Sequence, residues 1–339
     1  MSNTQSSTLA RLLNDCAGPA RAQTLLNQIF VAPALLEDYG NSVPRAVLAQ
    51  AMNMSLFADL LERVPTAAQR VGDVVSESGR LRFDHGALRT VVSSKPLELP
   101  SGYRAFARLL KPLGFEVSAT YPLPRIHMVG RSFTHEDYPE DIAQFFVSEI
   151  FLTDFSSEFQ AAAERVIGTS RDPLPAEAQL SLARLSHDRA LPYEEARVLL
   201  SQLLPCFERQ HSAPTVADYE ILLRESAEMA WISTEGNAFN HVTERVQDIE
   251  SVAEAQKVLG RPMKKAVEVS GSGRVKQTAY FAATVEREFV AADGSLVKRA
   301  VPGSFYEFIE RDRLPGSTAL DLSFDSGNAQ GIFKMTAVA

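Results

Sequence analysis

The strongest constraint on how this chain can fold is a repeated order of elements, each copy opening on a histidine with an arginine four residues on. His85-Gly86-Ala87-Leu88-Arg89 has a counterpart in His241-Val242-Thr243-Glu244-Arg245, and each histidine follows an acidic or amide residue, Asp84 or Asn240. At Gly79 the apolar period changes from helical to alternating. Residues 81, 83, 85, 87, 89 and 91 then share one face of a strand, because side chains alternate across a pleat, and His85 and Arg89 point the same way. A helix is predicted over 103–110 and strands over 114–118, 126–130 and 144–151. The same order returns in a strand over 239–246, a helix over 249–259 and strands over 267–269, 277–290, 304–311 and 329–338. Asp293-Gly294 marks a hairpin tip, since that pair tolerates the positive φ values of tight turns.

Helical spacing fills the remainder. Leu9, Leu12, Leu13 and again Leu56, Phe57, Leu60, Leu61 predict amphipathic helices, and Asn53-Met54-Ser55 is a candidate helix start. Phe159, Ala162, Ala163, Val166 and Ala196, Leu199, Leu200, Leu203 predict a helical insertion broken at Pro173, Pro175, Pro192, Pro205 and Pro214. The chain thus divides into a helical N-terminal layer (1–75), a first strand–helix–strands module (76–152), the insertion (153–230) and a second module (231–339), an α+β arrangement.

Two histidines and one carboxylate form the facial triad of non-haem Fe(II) enzymes, and a later strand, Ser304-Phe305-Tyr306-Glu307-Phe308-Ile309-Glu310-Arg311, supplies the carboxylate. Pleat parity separates its two acids: Glu307 shares a face with Phe305, Ile309 and Arg311, and Glu310 lies opposite. Glu307 is the predicted ligand, because Glu310-Arg311-Asp312-Arg313 reads as the wet end of the strand. Arg89 is the candidate for gripping a substrate carboxylate through paired hydrogen bonds, whereas Arg245 has a ready explanation in its neighbour Glu244. Glu149 occupies in the first module the place of Glu307 in the second, as a pocket residue that does not bind metal. His135 is placed in a loop rich in acids, with a pocket or ligand-supporting role as the lesser alternative to a structural one, and His187 and His211 are expected in solvent. Such ligands also accept Mn, Co, Ni and Zn.

Several function classes are excluded. The 339 residues carry a net charge of −8 without a basic cluster, which argues against nucleic acid, and no apolar run approaches the roughly 18 residues of a membrane span. A small-molecule partner follows. Cys16 and Cys206 are too few for a disulfide framework, and residues 1–9 lack a basic region followed by an apolar stretch. A cytoplasmic location is therefore predicted, reducing enough for a ferrous ion. Gly271-Ser272-Gly273 and Gly327-Asn328 lack the spacing of a phosphate loop, and no Gly-x-Ser-x-Gly elbow occurs. Oligomeric state is not legible.

The stretches Arg82-Phe83-Asp84-His85-Gly86-Ala87-Leu88-Arg89-Thr90, Phe145-Phe146-Val147-Ser148-Glu149, Asn237-Ala238-Phe239-Asn240-His241-Val242-Thr243 and Val301-Pro302-Gly303-Ser304-Phe305-Tyr306-Glu307-Phe308-Ile309-Glu310-Arg311 resemble the 2-oxoadipate dioxygenase/decarboxylase family of the vicinal oxygen chelate, glyoxalase-like superfamily. The Phe-x-Glu-x-x-x-Arg strand and Gly327-Asn328-Ala329-Gln330-Gly331-Ile332-Phe333 are also similar to the end of 4-hydroxyphenylpyruvate dioxygenase. The resemblance implies paired βαβββ modules in a half-open barrel around Fe(II), with His85, His241 and Glu307 as ligands and Arg89 recognising the substrate acid. It implies a reaction with dioxygen that turns 2-oxoadipate into 2-hydroxyglutarate and carbon dioxide, in lysine breakdown. The better-known members carry a longer C-terminal region that contributes to the substrate pocket. Two rival readings accompany this one: a redox-silent lyase or isomerase of the glyoxalase type, and a non-catalytic small-molecule binding module.

Overall fold

The computed structural model describes residues 6–77 and 79–327. Ser7 opens α1 (Thr8–Ala17) by accepting a hydrogen bond from the Ala10 amide, and Gly18, at φ 82°, turns the chain into α2 (Pro19–Gln28). After β1 (Ser42–Pro44) come α3 (Arg45–Arg63) and α4 (Pro65–Ser76). The predicted helix start at Asn53 falls inside α3, which instead begins directly after Pro44. Buried Asn53 donates its side-chain amide to the Ala143 carbonyl, tying the helix to the sheet.

The first module holds β2 (Arg82–Val92), α5 (Arg104–Leu110), β3 (Phe115–Leu123), β4 (Met128–His135) and β5 (Gln144–Phe151). The insertion holds α6 (Ser157–Ile167), α7 (Ala176–Asp188), β6 (Ala190–Pro192), α8 (Tyr193–Leu203), α9 (Val216–Glu225) and α10 (Ala227–Glu235). The second module follows with β7 (His241–Arg245), α11 (Ile249–Val258), β8 (Glu268–Val269), β9 (Val275–Ala279), β10 (Thr284–Val290), β11 (Leu296–Pro302) and β12 (Phe305–Arg311). The single strand expected over 277–290 is thus two. β10 and β11 leave the main sheet as a ribbon whose turn carries Gly294 at φ 83°. The strand expected over 329–338 lies outside the described residues.

Eight strands form one curled half-barrel sheet in the order β3-β4-β5-β2-β7-β12-β9-β8. Its two halves mirror each other about the antiparallel β2–β7 pair. In each half the central strand pairs in parallel with the module's last strand (β2 with β5, β7 with β12), and antiparallel strands follow outward. Alternation then sorts the side chains: Phe145, Val147, Val242, Tyr306 and Phe308 pack into the core shared with the N-terminal helices. Ala87 and Phe146 face the other way, as their odd and even places in the two strands require.

The alternation breaks at one place. The β2–β7 register shifts between Phe83 and His85, so Asp84 is the extra residue of a bulge. Phe83 consequently turns to the helical layer, against Phe57 and Phe239, and does not share His85's face as the simple pleat predicted.

Candidate metal centre

The three middle strands carry the predicted ligands side by side. In register, His85 on β2 lies opposite Thr243 on β7, and Thr243 lies opposite Glu307 on β12, while His241 lies opposite Ala87 and Phe305. All six therefore share the concave face. Nε2 of His85 lies 3.3 Å and Nε2 of His241 3.5 Å from Oε2 of Glu307, and one donor atom from each residue falls within 4.8 Å of the others. Three donors held at about 2.1 Å and right angles around a divalent ion stand about 3 Å apart, so the group fits such an ion with small adjustments.

Neighbouring side chains fix the orientation of each donor. Nδ1 of His85 donates to Asp84 at 2.9 Å, and Nδ1 of His241 donates to the Asn240 side-chain oxygen at 3.2 Å. Both rings thereby turn Nε2 to the centre, the usual arrangement of metal-binding imidazoles. Phe305 stacks on the His241 ring at 4.6 Å. Thr243 donates its hydroxyl to Glu307 at 2.5 Å, and Gln277 donates to the other carboxylate oxygen at 3.1 Å.

The electrostatics are those of a site that holds positive charge. Burial opposes ionisation of Glu307, yet the His85 hydrogen bond, both imidazoles and Thr243 outweigh it and hold the carboxyl below its ordinary range. Burial likewise disfavours a charged His85, but its bonds to Asp84 and Glu307 raise its affinity for a proton above the usual value. His241, buried with less compensation, is pushed down to about 3. A dication would take the place of the His85 proton and satisfy both acids.

A cavity opens on this group, walled by Ala87, Phe146 and Phe324, with Ser148 and Arg89 among its polar lining. Arg89 is 1% exposed, its guanidinium lies 5.1 Å over the Trp231 ring, and burial brings its pKa down to about 10 against the pull of Glu228. It remains a cation at neutral pH.

Other sequence candidates lie elsewhere. Glu149 is absorbed by Arg131 and the Tyr103 amide and does not line the cavity. Arg245 donates to the Glu140 carbonyl at 2.7 Å and faces a different cleft; the expected partner Glu244 is held by Arg70 in two bonds and by Tyr306. His135 ends β4 as a buried ring against Phe115, with Nδ1 accepting the amides of Asp137 and Tyr138. His187 is in solvent as expected, but His211 is buried, bonded through Nε2 to the Ser233 carbonyl, because its loop packs under α10. Sequence reasoning missed Thr243, Gln277, Trp231 and Phe324. Only Thr243 had a visible signal, its place two residues beyond His241 on the same strand face.

A curled sheet of two matching halves, with two histidines and a glutamate converging on its concave face, defines a protein of the glyoxalase-superfamily fold. A crystal structure of a protein assigned to that superfamily, from Ralstonia eutropha JMP134, is 53% identical and superposes with a TM-score of 0.90, covering 94% of this chain and 98% of the other. The profile of the 2-oxoadipate dioxygenase/decarboxylase family matches residues 31–333, and the chain belongs to that family.

Among its relatives, the chloroplastic 2-oxoadipate dioxygenase/decarboxylase of Arabidopsis thaliana is 31% identical over 36% of this chain and 38% of its own length. The chloroplastic/amyloplastic protein of Oryza sativa is 24% identical over 82% of this chain and 75% of its own. A crystal structure of hydroxyglutarate synthase from Oryza sativa in complex with 2-oxoadipate shares the fold at 22% identity, with a TM-score of 0.66 over 88% of this chain and 96% of the other.

Proposed function

We propose that this protein is an Fe(II)-dependent dioxygenase/decarboxylase that converts 2-oxoadipate and dioxygen into 2-hydroxyglutarate and carbon dioxide. The observation that carries the reading is the convergence of His85, His241 and Glu307 at the base of a cavity that also holds the buried cation of Arg89. Membership of the family and the 2-oxoadipate bound to the rice protein support the choice of substrate. When bound, the ion supplies the redox chemistry and open coordination positions.

The chain supplies the remainder. His85, His241 and Glu307 are the ligands, kept in place by Asp84, Asn240, Thr243 and Gln277. Arg89 pairs with the distal carboxylate of a dicarboxylic acid, and its burial makes that pairing strong, since little water competes for the fork. Phe146 and Phe324 exclude water from the reacting end. A role in lysine breakdown belongs to the same proposal.

The test is anaerobic reconstitution with Fe(II), then an oxygen-electrode screen of 2-oxoadipate and shorter 2-oxo dicarboxylic acids. One dioxygen consumed per carbon dioxide released is expected, with 2-oxoadipate the best substrate. Turnover of a 2-oxo acid or hemithioacetal without oxygen would replace this reading by a redox-silent lyase or isomerase.

A further inference from the structure

The side chain of Arg311 is wholly buried and makes two sets of bonds at once. Toward one side, Nε and Nη2 donate to Asp84 at 3.0 and 2.9 Å, and Asp84 accepts from Nδ1 of His85. Toward the other, Nη1 donates to the carbonyls of Asp321 at 2.9 Å and Ser323 at 2.7 Å. The next residue, Phe324, donates its amide to the Tyr121 hydroxyl and sets its ring edge-on to His85 at 4.8 Å and against Phe146 at 4.9 Å. The guanidinium itself lies 5.1 Å from that ring. Phe324 is thus a wall of the cavity whose backbone hangs on the same group that anchors a candidate ligand.

We propose that Arg311 is a positioning residue that sets the His85 imidazole and the Phe324 wall as one unit. Cation affinity at the centre and the shape of the substrate cavity then depend on one guanidinium. The inference rests on the reading of His85 as a metal ligand. Its physical basis is geometric: a planar fork presents donors along two edges, and both edges are used. A lysine ammonium in the same place is a single point of charge and cannot face the Asp84 carboxylate and two carbonyls together. The second half of the sheet has no need of such a cation, because Asn240, the counterpart of Asp84, is neutral. Arg311 also lies on the strand face of Glu307, four residues on, so one strand carries a ligand and the group that aims another.

Three variants test this against the wild type: Arg311→Lys, the double variant Asp84→Asn with Arg311→Gln, and Phe324→Ala. The double variant removes both buried charges together, so that no ion is left unpaired and folding is protected if the single change unfolds the chain. Two readouts are independent of turnover: Co(II) affinity from the visible spectrum, and hydrogen exchange of the amides over 321–325. Arg311→Lys and the double variant are expected to bind Co(II) about 10–100-fold more weakly, the usual effect of losing an outer partner of a metal histidine. Exchange over 321–325 should rise at least about tenfold in the same variants. Phe324→Ala should bind Co(II) within about threefold of wild type, yet bind 2-oxoadipate at least about tenfold more weakly, read from the Co(II) spectrum. Wild-type Co(II) affinity in the Arg311 variants, unchanged exchange over 321–325, or a Co(II) loss in Phe324→Ala as large as in Arg311→Lys overturns the proposal. A wild-type chain that binds no Co(II) would instead remove the metal reading beneath it.

Discussion

Arg89 keeps its charge in a cavity wall that is almost dry, flanked by the Trp231 ring and by Glu228 at longer range. If it grips the distal carboxylate, Arg89→Lys keeps the charge but loses the paired bonds. KM for 2-oxoadipate should rise about tenfold or more, a loss of roughly 1.4 kcal/mol or greater, with a smaller change in kcat. Steady-state kinetics on the Fe(II) form measure this, and an unchanged KM would remove Arg89 from substrate recognition. At Glu307 the expectation concerns metal. Glu307→Gln removes the anionic donor that His85, His241 and Thr243 surround, so metal retained after dialysis should fall at least about tenfold by elemental analysis. Retention at the wild-type level would sink its assignment as a ligand. The opposite facing of Glu307 and Glu310 was legible from alternation, and the charged run from Glu310 to Arg313 pointed to which of the two lies at the wet end. Glu310 indeed turns away, to Lys276 and the Ile249 amide. The partners of Arg245 and Glu244 were not legible, since Arg70 and Glu140 come from distant parts of the chain.

At the scale of elements, β2 shows both the reach and the limit of pattern reading. Its existence and the common direction of His85 and Arg89 follow from alternation, but the bulge at Asp84 does not, because an inserted residue is defined by the partner strand. The bulge matters for the site: it lets Asp84 and His85, adjacent in sequence, bond to each other on one side of the sheet. Gly86 is the next constraint. A Cβ there would meet Cζ of Phe239 at 2.3 Å, so the ring lies directly on the strand backbone. Gly86→Ala should therefore destabilise the fold by about 1–3 kcal/mol through overpacking, visible as a lower urea midpoint with an unchanged slope. A midpoint equal to wild type would mean that Phe239 can move aside at no cost. Helix α3 makes a similar point: Asn53 reads as a cap from its type, yet it serves as a buried tie to Ala143.

For the molecule as a whole, a main core runs from Leu9 in α1 through Leu200 in α8 to Phe308 in β12, and a second cluster packs α6, α9 and α10 against β5 and the β10–β11 ribbon. Two histidines outside the candidate centre are buried as well. Burial pushes His211 and His135 down from 6.5 to about 4, so each stays neutral in the fold while the unfolded chain takes up a proton below pH 6.5. Between pH 6.5 and 4 the unfolded state binds more protons, and stability falls as pH falls, by up to roughly 3 kcal/mol per histidine. His211→Gln should flatten the urea midpoint between pH 7 and 4.5; the same slope as wild type would show that His211 does not titrate on unfolding. The sequence by itself determined the repeated strand–helix–strands order, the helical flanks and the strand faces of His85, His241 and Glu307. These depend on local periodicity, which every residue carries in its own neighbourhood. Only the tertiary structure decided the bulge, the Arg311–Asp84 tie, the Phe324 wall and the burial of His211. Each of these depends on which distant segment fills the space beside a residue, and no local pattern records that.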